Sequence, residues 1–376
     1  MTASRIQIVE PFFTGSHQQW AKGWQQHSQH QVDILSLPGR HWKWRMYGGA
    51  VTLAQRFLQQ KSLPDLLVLS DMLDATTFLA LTRERTINIP VVIYFHENQI
   101  TYPWSPTDAD VKLKRNNQYG FLNYTSALSA DQLWFNSAYH QCSFLTALPK
   151  FLKQFPDYQG IENVKKLTTK STVLYLGMDL KRFLPFQKEN NNVNDVPVIL
   201  WNHRWEYDKN PQVFFETLLQ LKSENISFQL IVLGESYHKQ PPIFKIAHEQ
   251  LADRILHFGY ALDFATYARL LWQADILPVT SHQDFFGGSI VEAIFCNNFP
   301  LLPNRLAYPE HIPANFHDQY LYEDKTDLYH RLKDFLIQFP ANRGATTRQN
   351  FVIGYDWSTL AEEYDSRVAA IVGGKR

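Results

Sequence analysis

Residues 65–95 read DLLVLSDMLDATTFLALTRERTINIPVVIYF, and this segment indicates the fold of the chain. It begins with a short apolar run, DLLVLS at residues 65–70, and it ends with another, VVIYF at residues 91–95. A stretch of helical length and pattern lies between the two runs. Buried strands that are separated by helices form βαβ units, which build parallel sheets. The segment therefore predicts a protein of the α/β class.

The same alternation of short strands and helical patterns continues on both sides of this segment. One interruption, residues 186–197 (FQKENNNVNDVP), is polar and rich in asparagine, which is typical of a linker. We therefore expect an N-terminal domain over residues 1–185, a linker over 186–197 and a C-terminal domain over 198–355. A last helix within residues 356–376 is expected to pack back on the N-terminal domain. Both domains should be Rossmann-like, doubly wound and face each other across a cleft.

The composition excludes several classes of protein. Of the 376 residues, 45% are hydrophobic and 19% are charged, which is typical of a folded chain rather than a disordered one. The wholly apolar runs reach five or six residues, whereas a membrane span needs ~20. Cys142 and Cys296 lie far apart in the chain, and the N-terminus shows no secretory signal. These features predict a cytoplasmic protein that does not associate with a membrane.

The charge is balanced overall but is distributed unevenly. The chain has 36 basic and 36 acidic residues, which excludes a strongly basic nucleic-acid binder. Residues 1–180 nevertheless carry a net charge of +4, and the remainder carries −4. This asymmetry fits a polyanionic partner on the N-terminal side, although chance alone often produces a difference of this size.

Two cations follow the first strand of the predicted C-terminal domain. Arg204 and Lys209 lie in residues 201–211 (WNHRWEYDKNP), between that strand and a helix. Two fixed cations beside a helix N-terminus can bind a diphosphate and neutralise it as a leaving group. The alternative is a solvated loop with two ordinary surface cations.

Two carboxylates follow a later strand of the same domain, within residues 281–293 (SHQDFFGGSIVEA). Asp284 is expected in the loop and Glu292 in the second turn of the helix that follows. Gly287 and Gly288 would let backbone N–H groups approach an anion or a sugar closely. The alternative is a capped helix with an accidental pair of acids.

The N-terminal domain contributes two further loops. His96 lies in residues 94–103 (YFHENQITYP), after a very apolar strand, where it could orient or deprotonate an acceptor hydroxyl. A buried histidine that only stabilises the turn is the alternative. Residues 14–17 (TGSH) form the first βα turn, and their single glycine is a weak phosphate-binding signature.

Together, Arg204, Lys209 and the pair Asp284…Glu292 resemble the motifs of retaining GT-B glycosyltransferases of family four, over nearly the whole chain. The first carboxylate of that family's motif is usually Glu, and the Asp284 side chain is shorter by one methylene group. A narrower resemblance is to the tRNA-queuosine mannosyltransferase family, and it is carried by PFFTGSHQQW, LPGRHWKWRMYGGA, YFHENQITYP, NHRWEYDKNP and SHQDFFGGSIVEAIFCNNFPLLPNRLAYPEHIP.

The resemblance implies an enzyme that transfers mannose from GDP-mannose to queuosine in the anticodon of tRNA(Asp). It implies retention of the anomeric configuration, no metal or other cofactor, and no obligatory protein partner. The implied catalytic residues are His96, Arg204, Lys209 and Asp284. The donor would contact Gly15, Arg204, Lys209, Tyr260, Asp284, Phe286, Gly287, Gly288, Ser289 and Glu292. The acceptor would contact Ser16, His17, His96, Glu97 and Asn98.

The segment 40–45 (RHWKWR) interleaves basic and aromatic side chains, which is typical of RNA-binding surfaces. We therefore expect it to contact the tRNA, through Arg40, Trp42, Lys43 and Arg45. Alternatively, the tryptophans are core residues and the cations serve solubility.

Two other functions stay open at this point. The chain could transfer sugar to a small molecule or a glycan on the same scaffold. It could also be a non-catalytic protein that binds RNA or a nucleotide sugar. The presence of Arg204, Lys209, His96 and Glu292 argues against the second of these.

Overall fold

A computed structural model of the chain describes residues 3–105, 108–187, 195–235, 241–339 and 347–374. The chain divides into two compact units. Unit 1 comprises Met1–Asp179 and Trp357–Arg376, and unit 2 comprises Leu180–Asp356. The predicted linker 186–197 includes residues 188–194, which lie outside the described residues.

Unit 1 contains a six-stranded sheet in the order β2-β1-β3-β4-β5-β6, with each neighbouring pair parallel. Its strands are β1 (Arg5–Phe13), β2 (Gln31–Pro38), β3 (Leu66–Ser70), β4 (Val91–Phe95), β5 (Gln132–Phe135) and β6 (Ser171–Val173). The two apolar runs that predicted the fold are β3 and β4, and every residue of both strands is buried. Strands of a parallel sheet that is covered on both faces need such continuous apolar runs.

Helices connect these strands, and short polar side chains begin several of them. The helices of the N-terminal segment are α1 (Gly15–His27), α2 (Trp42–Leu58), α3 (Ala75–Thr86), α4 (Ala109–Lys112), α5 (Asn117–Ser129), α6 (Ala138–Leu152) and α7 (Asn163–Thr169). Asp74 accepts the N–H of Thr77 at the start of α3, and Ser137 accepts that of His140 at the start of α6. Each cap satisfies a backbone donor that a helix leaves open.

Unit 2 contains a second six-stranded parallel sheet, in the order β12-β11-β10-β7-β8-β9. Its strands are β7 (Val198–Asn202), β8 (Gln229–Leu233), β9 (Ile255–Gly259), β10 (Ile276–Pro278), β11 (Phe299–Pro303) and β12 (Leu321–Tyr322). Its α-helices are α8 (Pro211–Ser223), α9 (Ile243–Gln250), α10 (Phe264–Gln273), α11 (Gly288–Phe295), α12 (His317–Tyr320), α13 (Lys325–Ile337) and α14 (Gln349–Val352). The predicted class of two doubly wound α/β domains is confirmed.

The last helix, α15 (Trp357–Gly373), belongs to unit 1. Trp357 lies so close to Gly23 and Gly177 that a Cβ atom at either glycine would stand within 2.5 Å of the indole. Two helical turns further on, Tyr364 is fully buried. Its hydroxyl accepts the indole N–H of Trp20 at 3.1 Å and donates to the Tyr175 carbonyl at 2.7 Å. The last helix is thus packed on unit 1 through contacts in which Gly23 and Gly177 lie against the indole of Trp357.

The strand orders fix where functional side chains can gather. In unit 1 the order reverses between β1 and β3, and in unit 2 it reverses between β7 and β10. Doubly wound sheets bind ligands at the carboxyl ends of the strands beside such a reversal. Ligand-binding side chains are therefore expected in the loops after β1, β3 and β4, and in those after β7 and β10.

We expect Tyr364→Phe to destabilise the protein by about 1–3 kcal/mol, because the Trp20 indole N–H and the Tyr175 carbonyl both lose a buried partner. Urea unfolding followed by tryptophan fluorescence measures the change. Glu363→Gln is the matched control on the same helix, since its pair with Arg367 is largely exposed and contributes less than about 0.5 kcal/mol. Equal effects of the two substitutions would contradict this account of how α15 is held.

Candidate active site

The loop after β7 buries one of the two predicted cations of unit 2. The chain leaves the strand at Asn202, turns through a short 3-10 helix at Tyr207–Lys209 and enters α8 at Pro211. Between them, Asn210 has a φ of +51°, a left-handed conformation that asparagine tolerates better than most residues. This turn directs the Lys209 side chain inward, where the residue is only 6% exposed.

Lys209 forms an ion pair with Asp284, from the loop after β10. Its Nζ lies 2.8 Å from Oδ1 of Asp284 and donates to the Gln283 carbonyl at 2.7 Å. The second carboxylate oxygen of Asp284 accepts the Tyr308 hydroxyl at 2.6 Å. Burial works to raise the pKa of Asp284, but Lys209, His203 and Tyr308 outweigh it and hold that pKa below its usual value. The structure thus brings two of the predicted residues together as a charged pair.

Arg204 is placed differently, because about half of its side chain is exposed. Its guanidinium lies 3.5 Å from the Glu206 carboxylate, which leaves a solvent-facing cation in the same loop as Lys209. The neighbouring His203 is buried, and its pKa falls to about 4 because burial and the Lys209 charge both disfavour a proton. The loop therefore carries an accessible cation, a buried cation and a neutral histidine.

The predicted glycine-rich turn begins α11. Gly287 has a φ of +89°, which a side chain would strain, and its amide group precedes the first turn of the helix. Gly288 and Ser289 are partly exposed there. Phe286, by contrast, is buried against His311 and Tyr355, so its backbone rather than its ring is available to a ligand.

Glu292 is buried in α11 and already has two partners. Oε1 accepts a hydrogen bond from Arg182 at 2.9 Å, and Oε2 accepts the Tyr267 hydroxyl at 2.7 Å. Burial raises the pKa of Glu292 despite these two partners. A ribose that binds here would share the carboxylate with Arg182 and Tyr267. Tyr260, after β9, is 66% exposed.

Unit 1 gathers a histidine pair and a carboxylate at its own strand ends. His17, in the first turn of α1, lies with Nδ1 2.9 Å from Oε2 of Glu10, the residue that the sequence interpretation missed. The ring of His96, after β4, lies 4.0 Å from that of His17. All three residues are buried. His17 and His96, both predicted to lie near the acceptor, are thus in contact.

The remaining predicted acceptor residues are divided between structural and accessible positions. Asn98 is fully buried, and its Oδ1 accepts the backbone N–H groups of Ile100 and Thr101, so it stabilises its own turn. Glu97 is partly exposed and accepts the Gln99 side-chain amide. Gly15, with a φ of +51°, and Ser16 are both exposed at the start of α1.

The segment 40–45 begins α2 and places its cations unequally. Lys43 is held between the carboxylates of Asp108 and Asp110, at 2.6 Å and 2.5 Å. Trp42 packs beside Trp104 and Tyr119. The Arg45 Nε donates to the Pro38 carbonyl, whereas Arg40 is exposed. The charge of Lys43 is therefore neutralised locally, and Arg40 is the most accessible cation of segment 40–45.

Glu10, His17 and His96 also form the one cluster, within the described ranges, in which three possible metal-ligand atoms lie within 4.8 Å of one another. Their geometry fits an ion pair better than a metal site. His17 Nδ1 and Glu10 Oε2 already bond to each other, and Oε1 of Glu10 accepts the Phe12 N–H at 2.8 Å. The two imidazole rings are 4.0 Å apart and tilted by 33°, so they also pack against each other.

Comparison with known proteins adds the family. Residues 5–178 match the family profile "tRNA-queuosine alpha-mannosyltransferase N-terminal", and residues 184–349 match "Glycosyl transferases group 1". The tRNA-queuosine alpha-mannosyltransferase of Drosophila melanogaster is 33% identical over 343 residues, covering 88% of this chain and 86% of that protein. The chain belongs to the tRNA-queuosine alpha-mannosyltransferase family. The resemblance drawn from the sequence is confirmed, and the chain is a glycosyltransferase.

Solved structures support the fold of this family member. Sucrose-phosphate synthase from Thermosynechococcus elongatus has a TM-score of 0.71 at 13% identity, covering 99% of this chain and all of that one. A glycosyltransferase from Rickettsia africae has a TM-score of 0.69 at 16% identity, covering 99% of each chain. At such low identity the likeness concerns the fold alone, and it confirms the predicted GT-B class. Within the described ranges, no helix has both the length and the apolar composition of a membrane span.

Several groups that contact the candidate site residues of this family member were not predicted from the sequence. Glu10 lies near the carboxyl end of β1, so the strand-end rule that selected His96 could have found it. Tyr308 and Arg182 gave no such signal. Each reaches the site from a 3-10 helix, and each contacts a carboxylate that is remote in sequence.

We expect Lys209→Ala to lower the free energy of unfolding by about 3 kcal/mol, because Asp284 would keep a largely buried charge without its cation. Arg204→Ala should change it by less than about 0.5 kcal/mol, since that side chain is half exposed. Urea denaturation of both variants measures the difference. Equal losses of stability in the two variants would show that the buried ion pair of Lys209 and Asp284 does not stabilise the fold.

Proposed function

We propose that this protein transfers mannose from GDP-mannose to queuosine in the anticodon of tRNA(Asp), with retention and without a metal. Family membership supports the reaction class. The observation that carries the proposal is the Lys209–Asp284 pair, which lies at the strand reversal of unit 2 beside the N-terminus of α8. In this proposal the enzyme acts in the cytoplasm and needs no obligatory protein partner.

The leaving group is the first requirement of the reaction. A nucleoside diphosphate departs with negative charge, so a cation fixed beforehand lowers the barrier without reorganising at the moment of reaction. Lys209 is fixed by its bonds to Asp284 and to the Gln283 carbonyl. Arg204 supplies the accessible charge. These two cations would do for the diphosphate what a divalent metal does in other transferases.

The sugar and the ribose are the second requirement. Asp284 is ionised and immobilised by Lys209 and Tyr308, so it can accept hydrogen bonds from sugar hydroxyls. The backbone at Gly287–Ser289 is partly exposed beside it, and Glu292 would receive the ribose hydroxyls. Tyr260 would lie near the base. A sugar held in this way can pass through an oxocarbenium-like state while the acceptor approaches on the face that the diphosphate leaves.

The acceptor is the third requirement, and unit 1 would supply it. His96 would contact the queuosine hydroxyl that attacks the sugar. Gly15 and Ser16 begin α1 after β1, Glu97 follows β4, and all three are at least partly exposed. Arg40 would contact a tRNA phosphate.

Nucleoside mass spectrometry tests the proposal most directly. tRNA that contains queuosine is incubated with the enzyme and GDP-mannose, and a hexose increment is expected on queuosine alone. The same rate is expected with excess EDTA, because Arg204 and Lys209 neutralise the diphosphate. Arg204→Ala should lose about 10²–10³ in rate, as other removed electrostatic stabilisers do, while its stability stays unchanged.

Three controls separate the possible outcomes. tRNA without queuosine should gain no hexose, and UDP-glucose should not replace GDP-mannose. Lys325→Ala removes an exposed cation elsewhere on unit 2 and should retain the wild-type rate. Transfer to a glycan or a small molecule but not to tRNA would replace the acceptor in this proposal. Activity that EDTA abolishes and Mg²⁺ restores would overturn metal independence.

We expect Arg40→Ala to raise the KM for tRNA several-fold, because one phosphate contact and its counterion release are lost. The slope of log K against log salt should fall by about one unit. Steady-state kinetics measures the KM, and filter binding across a salt series measures the slope. Lys61→Ala is the matched control, since Lys61 is also exposed in unit 1. If both variants change the slope equally, the tRNA surface lies outside segment 40–45.

A further inference from the structure

Glu10 is a carboxylate that the proposed reaction does not use, and it has no exposed surface. Its position is fixed at both oxygens: Oε1 accepts the Phe12 N–H at 2.8 Å, and Oε2 lies 2.9 Å from Nδ1 of His17. A buried carboxylate without a cation is costly, so such a group is retained only where a partner compensates it. His17 is that partner.

His17 in turn lies against the ring of His96. The two ring centroids are 4.0 Å apart, and the rings are tilted by 33°. Trp20 meets the same His96 ring edge to face at 4.8 Å. Among the described residues, the buried Nε2 of His96 has no hydrogen-bond partner. The rings of His17, Trp20 and Tyr94 pack against it.

The charges around the pair come from several elements. The groups that face it are Glu10 on β1, Asp71 after β3, Tyr94 on β4, Glu97 in the loop after β4, and His140 on α6. Burial works to lower the pKa of His17, yet Glu10 and the more distant carboxylates raise it to about 9. Burial first, and then the charge of His17 and the proximity of His140, hold the pKa of His96 well below its usual value.

Asp71 does not perform the same task for His96. Its Oδ1 accepts the backbone N–H of His96 at 2.8 Å, so it fixes the turn rather than the ring. Burial raises the pKa of Asp71 well above its usual value. The fixed charge nearest to the His96 ring is therefore the one that Glu10 maintains on His17.

We propose that Glu10 and His17 are positioning residues for His96: the Glu10 carboxylate fixes the His17 ring against the His96 ring, and the charge of this pair, in addition to burial, favours the neutral form of His96. A neutral imidazole has both an N–H donor and a lone pair, so it can orient an acceptor hydroxyl and take its proton. A protonated one cannot accept. This inference rests on the proposed function, in which His96 meets the queuosine hydroxyl.

The test is Glu10→Gln, which keeps the shape of the side chain and removes its charge. Burial should then make His17 lose its proton near neutral pH. Loss of this positive charge about 4 Å away should raise the titration midpoint of His96 by about one pH unit. We expect the acidic limb of the kcat profile to move up by about one pH unit, which is a tenfold lower rate on that limb, with KM for tRNA little changed.

Two measurements keep the inference independent of activity. NMR titration of the histidine ring protons in the free protein should show the His17 midpoint fall from about 9 and the His96 midpoint rise. The wild type should also lose stability as pH rises from 6.5 through about 9, because a raised folded-state pKa stabilises only while the proton is bound. Glu10→Gln should lack this loss.

Asp131→Asn is the matched control, since Asp131 also accepts a backbone N–H, that of Val91, at a strand end. It should leave the acidic limb and both midpoints in place. If Glu10→Gln folds poorly, Glu10→Gln with His17→Asn removes both charges and should move the limb equally. A variant in which His17 is discharged and the His96 midpoint does not move would overturn the inference. If the wild type modifies no tRNA, the proposed function fails, and the NMR titration still decides whether the two rings are coupled.

Discussion

The ion pair between Lys209 and Asp284 joins two loops that leave neighbouring strands of one sheet, 75 residues apart in sequence. A buried ammonium ion is stable only with an opposite charge and further acceptors, and the Gln283 carbonyl supplies one of these. That requirement fixes the path of both loops. It also leaves Asp284 ionised beside the first turn of α11, as the proposed recognition of a sugar requires.

Unit 1 meets the same requirement with different groups. Its buried carboxylate, Glu10, is compensated by His17 rather than by a lysine, so the compensating charge belongs to a group that titrates. An imidazolium that packs against a second imidazole acts on the pKa of that neighbour at a fixed distance. An ammonium ion on a flexible side chain would be held at a less defined distance. The two units thus place a fixed cation and a titrating pair at the carboxyl edges of their own sheets.

Much of the candidate site was predictable because doubly wound sheets concentrate ligands at strand ends. The rule selected Arg204, Lys209 and Asp284 in unit 2 and His96 in unit 1 from their positions alone. The rule could not predict which charged side chains remain accessible to a ligand. In the sequence, Lys43 and Arg40 are two basic residues of one segment. In the structure, Asp108 and Asp110 neutralise Lys43, whereas Arg40 is exposed.

The α/β class, the two sheets and the family follow from the order of the amino acids, since apolar runs, helix spacing and local motifs are properties of neighbouring residues. The partners of the charged groups depend instead on how the chain folds. Arg182 reaches Glu292 across 110 residues, and Tyr364 reaches Trp20 across 344. Such pairs form because burial removes water from polar atoms and forces each to find a partner, wherever in the chain that partner lies.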